Sequence, residues 1–315
     1  MKAVLQYRAS PGFIAELERR AAADGFDWAS VDETDEAGFA REIADAQVLL
    51  HVLKPVTAAM MDQAPGLKLI QKLGVGVNTI DLEAARARGI AVSNMPGTNS
   101  QAVAEMTLAL LFAVLRRINY FDALTRAGEG WRPDLAVIDA TGEIAGRTVG
   151  FLGYGGVPAR LAPVFKALGA EVIYTARAPK PDAQGRAVSL DELITTSDIL
   201  SLHAPLTDVT RGIIGAEALG RMKPGAILIN TARGELVDQA ALHRALASGR
   251  LGGAGLDVFA REPVDPADPL FALPNVVVAP HMAWLTPETL SRSLDAAFEN
   301  CRRLRDGRPL KNQVV

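Results

Sequence analysis

Residues 150 to 161 read GFLGYGGVPARL. They complete the apolar run RTVGFL, lead into the helical pattern LAPVFKALG, and belong to a unit that returns as EVIYTA. A glycine-rich turn between a strand and a helix is where a parallel α/β sheet cradles phosphate, on backbone N–H groups at the helix start. Gly153 allows the tight turn, Gly155 lets the backbone approach a pyrophosphate, and the amides of Gly156 and Val157 are placed to donate to its oxygens. Pro158 stands where the third glycine of G-x-G-x-x-G belongs. That glycine serves helix-to-strand packing, and proline is tolerated in the first helical turn, where its missing N–H has no intrahelical partner. The stretch therefore predicts a working dinucleotide turn. Pro163 costs about 3 kcal/mol in an uninterrupted helix, so a kinked or late-starting helix is expected there.

Outward from this turn, short aliphatic runs alternate with amphipathic stretches. MKAVLQY, AQVLLHV (46–52), LKLIQKL (67–73) and IAVSN (90–94) form a first series. RTVGFLG, AEVIYTA, DILSLH, GAILINTA, GAGLDV and NVVVAP form a second. This is the rhythm of βαβ units with parallel strands covered on both faces, so the fold class is α/β with two doubly wound sheets. Between the series, SQAVAEMTLALLFAVLRRI (100–118) reads as a helix opening on Ser100 as N-cap, too apolar for a free surface. It is either a core helix or a linker that also makes a subunit contact. TPETLSRSLDAAFENCRRL reads as a last helix, capped by Thr286 with Pro287 in its first position.

A chain of 315 residues suits about two domains. With 33 basic and 36 acidic residues and no long run of either sign, nothing invites nucleic acid or an anionic membrane. The Arg-rich CRRLRDGRPLK reads as a solvated helix face. Cys301 stands alone and no Cys/His set has metal spacing, so neither a disulfide nor a metal site is expected. The N-terminal apolar run is too short for a signal peptide, and MTLALLFAVL (106–115) falls short of a membrane span. A cytoplasmic protein is expected.

NAD-selective turns carry an acid at the end of the second strand, where it binds the ribose 2′-hydroxyl. Here that place holds Ala176, with Arg177 next and Lys180 three residues beyond. A small residue leaves room for a 2′-phosphate and two cations would bind it, so NADP is expected as the preferred cofactor, with NAD possible. Three reactive side chains follow strands of the second series: Arg233 in LINTARGELVD, Glu262 in GLDVFAREP and His281 in VVVAPHMAW. Reduction of a 2-oxo acid needs a fork for the carboxylate, a proton donor for the carbonyl oxygen and an acid holding the imidazole. Lys54, after AQVLLHV, lies at the ligand-bearing edge of the first series, where it is either a substrate contact or an exposed loop lysine.

Nearly the whole chain, from KLGVGVNTIDLEAARARGIAVSNMPG through SQAVAE, GFLGYGG, SLHAPLT, INTARGELVD, GLDVFAREP and APHMAW, resembles the D-isomer-specific 2-hydroxyacid dehydrogenase family. The resemblance implies a Rossmann-type cofactor domain (99–284) inserted in a flavodoxin-like substrate domain (1–98 plus 285–315), with a crevice between them and a homodimer built through the region after residue 100. It implies that Arg233 clamps the substrate, His281 is the acid/base, Glu262 raises its basicity, and the amides of Val75 and Gly76 complete the carboxylate site. It also implies a cofactor pocket that adds Tyr154, Pro205, Thr210, Thr231 and Asp257 to the glycine turn. TAR at the second strand and Trp284 after the histidine resemble glyoxylate or hydroxypyruvate reductases and glycerate dehydrogenases, implying a small 2-oxo acid that Trp284 helps confine. Phosphite dehydrogenases share the Arg, Glu and His, and a nucleotide-sensing corepressor uses the same fold, so these two remain alternatives, whereas formate dehydrogenases carry Gln at the Glu262 position and are disfavoured.

Overall fold

The computed structural model describes residues 1–178 and 180–315, which form two compact units, Met1–Asn99 with Leu285–Val315 and Ser100–Trp284. In the first, β1 (Lys2–Gln6), β2 (Asp27–Val31), β3 (Val48–His51), β4 (Leu69–Lys72) and β5 (Ala91–Ser93) make a parallel sheet of order β2-β1-β3-β4-β5. Every residue of β3 and β4 is buried, as strands covered on both faces must be. The sequence DWASV of β2 gives no apolar run to read, because this strand is an edge and leaves Asp27 and Ser30 exposed.

The second unit holds β6 (Thr148–Leu152), β7 (Glu171–Thr175), β8 (Arg186–Ala187), β9 (Ile199–Leu202), β10 (Ile227–Asn230), β11 (Gly253–Leu256) and β12 (Val276–Val278). Their order, β12-β11-β10-β9-β6-β7-β8, is the Rossmann arrangement, all parallel, with one further strand at an edge. Strand order reverses between β6 and β9, and the carboxyl ends beside that point are where such a sheet binds ligands.

The helix Ser100–Leu115 is a core helix of this unit. Leu110, Leu111, Val114 and Leu115 are buried, and the helix lies directly on β11. The glycines of GAGL permit this approach: a Cβ on Gly253 would meet Val114 Cγ1 at 2.5 Å, and one on Gly255 would meet Leu110 Cβ at 2.9 Å. Two details correct the sequence reading. Ser100 is the first helical residue and not a preceding cap, and the helix ends at Leu115. Arg117 then adopts a left-handed backbone (φ +51°) that breaks the run before the next helix, Ile118–Arg126. Neither that helix nor Leu135–Asp139 buries a residue, and Trp131 between them is 93% exposed.

The last helix, Pro287–Arg305, starts as read: the Thr286 hydroxyl accepts the Thr289 amide at 3.1 Å. Its basic end is paired, Arg302 with Asp24 and Arg303 with Glu299, both at 2.6 Å. Burial pushes the Cys301 thiol up to about 12, which leaves it unreactive at neutral pH. No described helix is long and apolar enough to cross a membrane.

Candidate active site

The glycine turn follows β6, at the reversal of strand order. Gly153 has φ +93°, and a Cβ there would lie 2.9 Å from the backbone of His203 and Ala204, so the turn and the adjacent chain both require glycine. Gly155 is the extended N-cap of the helix Gly156–Ala167, and a Cβ on it would meet nothing within 4 Å. At Gly156 a Cβ would stand 2.7 Å from Ser100 Oγ, which explains the second glycine of the pair. The amides of Gly156 and Val157 open the helix and have no intrahelical acceptor. Open space above a glycine cap and unsatisfied N–H groups fit a pyrophosphate.

Pro158, third in this helix, is buried and lacks only an N–H that would have no partner. The helix does not start late: Pro163 lies inside it. Pro163 and Ala159 are both exposed, so water can take the carbonyl that the ring deprives of its donor. Tyr154 packs on Tyr174 with ring centroids 4.5 Å apart, and its hydroxyl accepts the Gln184 amide at 2.9 Å. Ala176 follows β7, half-buried against the core. Arg177 and Lys180 are exposed, and among the described residues neither forms an ion pair. The Thr210 hydroxyl donates to the Pro205 carbonyl at 2.7 Å and so closes the loop after β9.

At the ends of β10, β11 and β12 the remaining groups converge. His281 Nδ1 lies 2.6 Å from Glu262 Oε2, while Glu262 Oε1 accepts the Phe259 amide at 2.9 Å. Burial pushes the Glu262 carboxyl up, but the bond and charge of His281, the Phe259 amide and Arg233 outweigh it and hold the group below its ordinary range. It stays ionised and can support an imidazolium. Burial also pushes the Arg233 guanidinium down, opposed by Glu235 and Glu262. Asp257 is 1% exposed and accepts the amides of Met282 at 2.8 Å and Ala283 at 2.9 Å. Its carboxyl is pushed up by burial against the pull of those two amides. Thr107 donates to the Val103 carbonyl at 2.7 Å, so in its 3.0 Å contact with Thr231 the latter must be the donor.

Within the first unit, the Lys54 ammonium donates to the Glu33 carbonyl at 2.8 Å and lies 3.5 Å from Glu36. Its charge is engaged locally. Val75 is 43% exposed, and among the described residues the amides of Val75 and Gly76 make no hydrogen bond.

Residues 108–283 match the family model for the D-isomer specific 2-hydroxyacid dehydrogenase, NAD binding domain. The chain is 42% identical to the glyoxylate reductase of Aeropyrum pernix over 81% of its own length and 78% of that protein. It is 43% identical to the glyoxylate reductase of Thermococcus litoralis, over 82% and 80% of the two chains. Among solved structures it is similar to the TT0316 protein from Thermus thermophilus, at TM-score 0.90 and 40% identity over 100% of both chains. The chain belongs to the D-isomer-specific 2-hydroxyacid dehydrogenases. It is an NAD(P)-dependent oxidoreductase that interconverts 2-oxo and 2-hydroxy acids.

Several residues that shape this dehydrogenase's site are not evident from motif reading. Asn230, 1% exposed, clamps the loop after β10, its Nδ2 donating to the Arg233 carbonyl at 2.9 Å and its Oδ1 accepting the Ala232 amide at 3.0 Å. Gly234 lies so close to Phe259 that a Cβ would run into that residue's carbonyl, which joins the Arg233 loop to the Glu262 loop. Gln239 accepts the Ala260 amide at 3.0 Å and donates to Asp268 at 2.6 Å, bracing the same loop. An Asn at a strand end and a Gly after Arg were the available signals, but both types are common in ordinary turns.

Proposed function

We propose that this dehydrogenase reduces a small 2-oxo acid of the glyoxylate or hydroxypyruvate class to the D-2-hydroxy acid, with NADPH as preferred cofactor and His281 as the proton donor. The observation that carries it is the 2.6 Å contact of His281 Nδ1 with Glu262 beside the Arg233 loop. With Nδ1 engaged by a carboxylate, Nε2 is the nitrogen that presents a proton. Arg233 offers the planar fork that matches a carboxylate and polarises the neighbouring carbonyl. Val75 and Gly76 are assigned as backbone donors to the carboxylate, and Asp257 and Thr231 as polar groups for the nicotinamide amide. When bound, the nicotinamide supplies the hydride. As charge develops on the carbonyl oxygen, His281 transfers its proton there and Glu262 holds the ring in place.

The small substrate is supported by relatives that are glyoxylate reductases and by the bulk of Trp284 beside His281. A panel of 2-oxo acids with reduced cofactor tests it: kcat/KM should be highest for glyoxylate and hydroxypyruvate and fall as the side chain lengthens. Cofactor binding without turnover on any of them would make the protein a nucleotide sensor instead.

NADPH preference rests on Ala176 in place of an acid, with Arg177 and Lys180 exposed beside it. One charge-assisted bond to a 2′-phosphate contributes about 1.5–3 kcal/mol, roughly ten- to a hundredfold in affinity. The Ala176→Asp/Arg177→Ala double variant should therefore lose the preference. An unchanged NADPH to NADH ratio would place the selectivity elsewhere. The same reading makes the protein a homodimer that covers the exposed Trp131 and Leu135, the latter 74% exposed. Light scattering should give the mass of two chains, and a single-chain mass would overturn it.

A further inference from the structure

His281 has a left-handed backbone, φ +53°, which a non-glycine residue holds only when its surroundings fix it. Its N–H donates to the Asp257 carbonyl at 2.7 Å, and the Asp257 carboxylate takes the next two amides, of which the Met282 N–H shares one peptide group with the His281 carbonyl. The oxygen of that same peptide is held by a second side chain. Trp284 Nε1 donates to the His281 carbonyl at 3.2 Å. The His281 peptide is thus gripped from both ends, and the ring is aimed so that Nδ1 meets Glu262.

We infer that Trp284 is a positioning residue for His281, acting through its indole N–H and not only through its bulk. The inference rests on His281 being the proton donor, because misaiming that ring matters only if it carries the proton. Without the indole bond the peptide after the left-handed His281 is held through its N–H alone and its carbonyl is released, and the ring samples orientations in which Nε2 does not point at the reacting oxygen. Small misplacements of a reacting group are costly to the chemical step and leave substrate affinity nearly untouched.

Trp284→Phe keeps a flat apolar ring and removes the donor. We expect kcat on glyoxylate with NADPH to fall at least about tenfold, with KM for glyoxylate and the Kd for NADPH within about twofold of wild type. In a His281→Ala background the same substitution should cost nothing more, because the group it aims is gone. A raised KM with unchanged kcat, or a full further loss on top of His281→Ala, would overturn the inference and leave Trp284 as a wall. Wild-type turnover in His281→Ala would instead remove the proton-donor reading itself. One measurement needs no variant: in the wild-type protein the Trp284 indole hydrogen should exchange far more slowly than that of Trp131, which is 93% exposed. Equal exchange rates would overturn the inference.

Discussion

His281→Ala is expected to lower kcat for 2-oxo acid reduction by at least about 100-fold, the usual loss when a general acid is removed. Without the imidazole, the developing negative charge on the carbonyl oxygen must be met by water. The Glu262 carboxylate would remain, ionised and held by the Phe259 amide at 2.9 Å, and would now repel that charge. The loss should fall on the chemical step: NADPH binding, read by fluorescence titration, should be unchanged because the glycine turn lies on a different strand end. Turnover within a few fold of wild type would show that another group supplies the proton.

Arg233→Lys is expected to lower kcat/KM by roughly ten- to a hundredfold, mostly through KM, although it keeps the formal charge. A guanidinium can give two parallel N–H bonds to a carboxylate, and an ammonium cannot. The site is also hostile to lysine. Burial already pushes Arg233 down despite Glu235 and Glu262 nearby, and a lysine at such a place loses its proton far more readily. The Asn230 clamp holds the Arg233 backbone through its carbonyl and survives the substitution, so the variant should fold. Steady-state kinetics on glyoxylate decide it: full activity in Arg233→Lys would reduce the role of Arg233 to that of a point charge.

Much of this architecture was legible because parallel strands buried on both faces leave continuous apolar runs, as VLLH and ILIN do. The strands that escaped, DWASV and the two-residue RA, are edges whose exposed residues carry no such run. At the site, Arg233, Glu262 and His281 could be read as types at strand ends. What held them could not. The Gly234 approach to Phe259, the Gln239 brace and the grip of Asp257 and Trp284 on His281 are contacts between segments distant in sequence or set by backbone angle. The prolines of GVPARLAP show the converse: both break a local rule, and both are tolerated because one sits in the first helical turn and the other faces solvent.

The most direct test of an NADPH-dependent 2-oxo acid reductase is kcat/KM for glyoxylate measured with NADPH and with NADH on the same preparation. Arg177 and Lys180 predict substantial turnover and at least a roughly tenfold preference for NADPH. Equal values, a preference for NADH, or tight NADPH binding with no turnover would contradict it.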